Sequence, residues 1–144
     1  MKLHDVAGER GSAAVETVIG VPAFLLFVGL IIFGGRITIT HEAVQSAAAD
    51  AARSASIARS SGDAERFARA AAELSLANQQ ISCANVAVRV DASGFAAPIG
   101  QPASVTVSVS CRLDLADLSV PGVPGTRLIE ATMSSPLDTW REKR

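Results

Sequence analysis

An α+β fold follows from three observations. They are an uncharged apolar run near the N-terminus, an alanine-rich stretch of helical period behind it, and Val-x-Val alternation in the C-terminal half. Their order predicts a long N-terminal transmembrane helix, a further helix, and then a small three-stranded antiparallel sheet. At 144 residues the chain has room for one small domain plus a membrane segment. Apolar residues make up 49% of it and aromatics only 4%, with no tyrosine. Alanine, valine, isoleucine and leucine therefore dominate the apolar content, which suits helix seams and a thin sheet better than a thick core. The net charge of -1 gives no electrostatic reason to expect a nucleic-acid partner.

The apolar run from Thr17 to Gly35 is free of charge and bounded by Glu16 and Arg36. As a helix it would cover about 28 Å, close to the thickness of a bilayer hydrocarbon core. Gly20, Gly29, Gly34, Gly35 and Pro22 would weaken a helix in water. In lipid they are tolerated where neighbouring helices pack on them. The run is longer than a secretory h-region and ends in Gly-Gly-Arg rather than an Ala-x-Ala cleavage site, so an anchor is expected rather than a removed signal. Lys2 and Arg10 before the run nearly balance Arg36 and Arg53 after it, so positive charge alone does not decide the orientation.

Gly11-Ser12-Ala13-Ala14-Val15-Glu16 opens the run, after Glu9-Arg10. A carboxylate at the edge of an apolar helix costs less than one at its centre, and negative charge suits a helix N-terminus. On those grounds alone Glu16 could simply be a solvated interfacial residue. The whole pattern, however, resembles the type IV prepilins, in which a short polar leader ends in glycine and a glutamate stands five residues into an apolar helix. It is most similar to the TadE-like pseudopilins of the Tad/Flp pilus system. Arg-Gly-Ser-Ala-Ala-Val-Glu, Pro22 and the Ala-rich stretch carry that likeness, together with Val-Pro-Gly-Val-Pro-Gly-Thr-Arg and Ala-Thr-Met-Ser-Ser-Pro-Leu-Asp-Thr-Trp near the C-terminus. Thr17 stands where many members have an aromatic residue.

The resemblance implies cleavage between Gly11 and Ser12 by a prepilin peptidase. Glu16 would then pair with the new α-amino group of Ser12 on a neighbouring pilin or pseudopilin subunit, setting register. It also implies an N-terminus in the cytoplasm, a single pass through the inner membrane and an extracytoplasmic head, with incorporation into a surface pilus left open. The expected divisions are a leader over 1–11, a transmembrane helix over 12–36, an Ala-rich helical region over 37–80, and a β-rich head with its tail over 81–144.

Beyond Thr38, Val44, Ala47, Ala48, Ala51, Ala55 and Ala58 recur at helical spacing, while Glu42, Ser46, Asp50, Arg53 and Ser54 lie largely off that seam. Such a stripe suits packing on neighbouring subunits or on the chain's own sheet, and alanine is also simply a good helix former. Ser60-Ser61-Gly62-Asp63 breaks the helix, with Ser61 or Asp63 as the next N-cap. A second helix is predicted from Ala64 to about Asn78. Glu65, Arg66 and Arg69 make its polar side, and Phe67, Ala70, Ala71 and Leu74 its apolar side.

Val86, Val88 and Val90 predict one half-buried strand. Val105, Val107, Val109, Cys111, Leu113 and Leu115 predict a second, and Thr126 to Ser134 a third. Cys111 shares the apolar phase and Cys83 stands just before the first strand. In an extracytoplasmic head a Cys83–Cys111 disulfide is expected rather than two free thiols, stabilising a small domain by roughly 3 to 4 kcal/mol.

No catalytic set can be assembled. His41 is the one histidine after the leader, so neither a Ser-His-Asp arrangement nor a histidine metal site is available, and no glycine-rich phosphate loop follows a strand. No cofactor, metal or small-molecule substrate is expected. Trp140 to Arg144 is expected to be a solvated tail. The expected function is thus a minor pilin-like structural subunit, not an enzyme, whose partners are the lipid membrane, a prepilin peptidase and other pilin subunits. The alternative is an uncleaved single-pass protein whose extracytoplasmic head binds an envelope partner or ligand.

Overall fold

The computed structural model describes residues 7–118, 121–122 and 125–140, with side chains from residue 15 onward except at 118. Helix α1 runs without interruption from Ala7 to Ser56, about 75 Å at the usual helical rise. Helix α2 spans Ser61–Asn78, and strands β1, β2 and β3 span Cys83–Asp91, Ser104–Asp114 and Thr126–Pro136. The sheet is an antiparallel meander of order β1-β2-β3, the α+β arrangement expected.

The break between the helices is capped one residue earlier than either candidate. Ser60 is the N-cap of α2: its hydroxyl accepts the Asp63 N–H at 3.1 Å and donates to the Asp63 carboxylate at 2.9 Å. Ser60 and Ser61 carry the same side chain. Ser60 caps because its backbone is extended and its oxygen then lies three residues before the first free N–H it can reach. At the other end Gln80 takes a left-handed φ of 56°. The Ile81 N–H then bonds the Leu76 carbonyl and the Gln80 N–H bonds the Ala77 carbonyl, closing the helix as a Schellman turn.

The core is a thin layer in which α1 meets α2 on one side and the sheet on the other. Ala43, Val44, Ala47, Ala48, Ala51, Ala52 and Ala55 of α1 are fully buried. Against them lie Val105, Val107, Val109 and Cys111 of β2, each with no exposed surface, and Ile129 and Leu137 from β3 and its exit. The alanine stripe is thus taken up inside the molecule, by α2 and the chain's own sheet. Alanines on both helices let their backbones come close, which larger side chains would prevent.

The apolar side expected for α2 is corrected. Its buried residues are Ala64, Ala68, Ala72, Ser75 and Leu76, while Phe67, Ala70 and Leu74 are exposed and Ala71 only partly covered. A close alanine seam selects the face with the smallest side chains, and the larger ones are left at its rim. Ser75 remains satisfied there by donating its hydroxyl to Asp50 at 2.8 Å.

The loop from β1 to β2 passes under Ser104 at Gly94. A β-carbon at Gly94 would collide with the Ser104 carbonyl oxygen and press on Leu137. That carbonyl belongs to a residue paired with Pro136 at the start of β2, so it has little room to give way. Gly94→Ala is expected to cost about 1 to 3 kcal/mol, as overpacking does. Urea denaturation of the full-length protein in mild detergent checks this, and an unchanged midpoint would refute it.

Candidate assembly site

From Val15 to Ile32, no described residue of α1 is buried by the rest of the molecule. Val18 is 72% exposed and Phe24 64%, and the other large side chains from Val15 to Ile32 are also exposed except Val28, which is partly covered. Within Val15–Ser56 lies one stretch long and apolar enough to cross a membrane, and none of that stretch is buried in the molecule. Cover begins only farther along: Phe33 and Ile37 are partly buried against the core, and Thr40 is the first residue fully enclosed. One helix therefore changes environment along its length. It passes from an apolar surface with no internal partner to an alanine seam wedged between α2 and the sheet.

The polar groups at this junction are internally satisfied. The Thr38 and Thr40 hydroxyls donate to the Gly34 and Arg36 carbonyls, at 3.1 and 2.8 Å. Arg36 reaches Asp117 after β2 at 2.8 Å, tying the helix to the base of the head. Both partners are about half exposed, so this pair contributes at most about 1 kcal/mol. Beside it a cleft of about 340 Å³ lies between Arg36, Thr40, Gln80, Ser82, Leu113 and Asp114. No group of three or more His, Cys, Asp or Glu among the described residues could hold a metal ion.

Pro22 sits inside α1 without ending it. Its missing N–H leaves the Val18 carbonyl without its usual intrahelical donor. Glu16 lies exposed on the helix, one turn beyond Ser12 along the chain. Gly11 and Ser12 are part of α1, and their side chains lie outside the described residues, as does the leader up to Val6. The fold brings no cationic group of its own to Glu16 among the described salt bridges. Cys83 and Cys111 are joined in a disulfide with their Cα atoms 5.4 Å apart. The bond links β1 to β2 at a bulge between Cys83 and Asn85. Trp140 is 78% exposed, and the tail from 141 to 144 lies outside the described residues.

Two features escaped the sequence reading. The Arg36–Asp117 pair joins positions 81 apart, and only the packed fold could reveal it. The uncovered Leu74 and Phe67 were hidden by the usual rule that large apolar residues go inside.

Among known families, residues 11–53 match the model described as TadE-like protein. No curated protein and no solved structure matches the chain. The matched segment begins at Gly11, covers the whole exposed apolar stretch and ends within the alanine seam, before α2 and the sheet.

Proposed function

We propose that this chain, TadE-like over residues 11–53, is a minor pilin-like structural subunit for Tad/Flp pilus assembly. One observation carries the reading: no residue of the apolar stretch of α1 is buried, yet the helix continues without a break into the seam that holds the head together. An apolar rod of that length is stable only in lipid or among other such helices. Because the helix is continuous across the junction, fixing the rod also places the head. The subunit is inserted with its N-terminus in the cytoplasm and its head outside the inner membrane, where the Cys83–Cys111 bond forms.

Processing and register follow from the same segment. A prepilin peptidase cuts between Gly11 and Ser12, and Glu16 pairs with the Ser12 ammonium of a neighbouring subunit. Within an apolar bundle each charge is costly unless it meets the other, so the pair selects one axial offset between adjacent helices. The role is structural, and no turnover is involved.

The mature N-terminus tests the reading. Protein recovered from membranes of cells with an active prepilin peptidase is expected to begin at Ser12, as intact mass and N-terminal sequencing would show. A start at Met1 would overturn the processed-subunit reading in favour of an uncleaved anchor. Glu16→Gln should leave membrane retention intact while lowering co-assembly with partner pilins at least tenfold, since it leaves the Ser12 ammonium unpaired. Unchanged co-assembly would remove Glu16 from the register role.

A further inference from the structure

Both outer edges of the sheet are open. β1 and β3 each have one neighbour, β2, and no backbone hydrogen bond reaches their outer edges among the described residues. Proteins usually guard such an edge with lysine, interior proline, a bulge or a covering element. β3 has no lysine, interior proline or bulge; its charges are Arg127 and Glu130, and α1 packs on its inner face at Ile129 without a backbone hydrogen bond to its outer edge. It pairs with β2 in unbroken register from Thr126 to Pro136, and its only proline is its last residue. An edge of this length and regularity is a template for another strand.

Strand number settles what can be added. In a three-stranded meander the first and third strands run the same way, here from the base of the head towards its far end. Two copies anchored side by side in one membrane have the same orientation, a premise that rests on the reading above. A neighbour's β1 then lies beside β3 as a parallel strand. An antiparallel two-fold pairing of β3 with β3 would instead point one anchor away from the membrane.

Charge agrees with this. On the face of the sheet turned away from α1, β1 carries Arg89, in line with Ser108 and Thr132, and β3 carries Glu130, in line with Ser110 and Ala87. Both are exposed, neither has an ion-pair partner among the described residues, and they are one side-chain step apart in height. The other β1 charge on that face, Asp91, is occupied by its own loop. Hydrogen bonds from the Ser93 side chain and backbone hold its carboxyl below the ordinary range. Most of the remaining outward positions are small, among them Ala87, Ser110 and the Ser108–Thr132 hydroxyl pair at 2.7 Å; the larger Leu128 of β3 and Arg112 of β2 lie opposite each other one step nearer the base than Glu130.

We propose that the β3 edge of one head docks against the β1 edge of a second copy of this chain. The joint is a parallel strand pair with Glu130 facing the neighbour's Arg89. The contact is heterologous, since each copy gives a different edge, so it propagates along a row rather than closing at a dimer.

Arg89→Lys supplies the amine that a zero-length carbodiimide needs to bond a carboxylate. With the full-length R89K protein in lipid vesicles, treatment is expected to give a ladder of dimer, trimer and higher species. Mass spectrometry of the dimer band should find the introduced lysine joined to Glu130. R89K/E130Q should lose that ladder. Without cross-linker, E130R and R89E should each lower the association of membrane-anchored copies about tenfold, and the double reversal R89E/E130R should restore it. A ladder that stops at the dimer, cross-links from the introduced lysine only to other proteins, or a double reversal that fails to restore association each overturns the proposal. If the chain stays in the membrane and no ladder forms, the edge pairing fails while the assembly-subunit reading stands. If the ladder forms on a chain that does not sediment with membranes, the pairing stands and the anchor reading fails.

Discussion

Reducing the Cys83–Cys111 bond is expected to lower the stability of the head by about 3.6 kcal/mol. The bond joins positions 28 apart, and that figure is the chain-entropy value for a loop of this size. The consequence is large because the rest of the core is thin. It holds alanines and valines, with no aromatic residue among its fully buried members. Small side chains remove little apolar surface each, so a constraint on the unfolded chain is a large share of the total. The bond also sits where the sheet is irregular, since the register of β1 on β2 shifts between Cys83 and Asn85. In full-length protein held in mild detergent, the urea midpoint should fall by about 2.4 M on reduction, for a slope near 1.5 kcal/mol/M. Cys111→Ala should cost about 1 kcal/mol beyond that, because Cys111 is fully enclosed on the β2 face and its sulfur also fills space there. Coincident unfolding curves for the oxidised and reduced protein would refute the loop-closure account.

The parts of this fold that are legible in the sequence are those where one residue type repeats at one period. β2 alternates valine with serine or threonine, and its buried and open positions follow that alternation without exception from Val105 to Leu113. The apolar run and the alanine stripe of α1 are equally plain. What separates them is the point where cover begins near Thr40, and this depends on where the sheet and α2 end against the helix. Local pattern could not place it. Gly11, Ser12 and Glu16, the residues proposed for processing and register, were legible as a motif, but the group proposed to face Glu16 belongs to another chain. The Ser60 cap was missed by one residue because two serines in a row satisfy the same local rule. The open β3 edge had no local signature at all, since an edge strand and a central strand share a pattern when one face of each is solvated.

Helix α2 offers the sharpest test of how the head is packed, because size and burial there point in opposite directions. Ala68 has no exposed surface, whereas Leu74 is 62% exposed. If α2 lay on its larger apolar residues, Leu74→Ala would carve a core cavity and cost about 2 to 5 kcal/mol. Ala68→Leu would then be a harmless surface change. With α2 seated on its alanines the order inverts. Ala68→Leu forces three extra carbons between two helices that approach through alanine on both sides, at a cost of about 2 to 3 kcal/mol. Leu74→Ala should cost less than about 1 kcal/mol, since it removes a side chain that is mostly in water and puts a better helix former in its place. Urea midpoints of the two variants, measured side by side in the full-length protein, decide between the arrangements. The seam is also what couples the exposed half of α1 to the head, so Ala68→Leu should make the head more open to protease while leaving the anchor in the membrane. Leu74→Ala should change neither. A larger loss of stability from Leu74→Ala than from Ala68→Leu would mean that the helices do not meet through alanine, and that the rod and the head are joined in some other way.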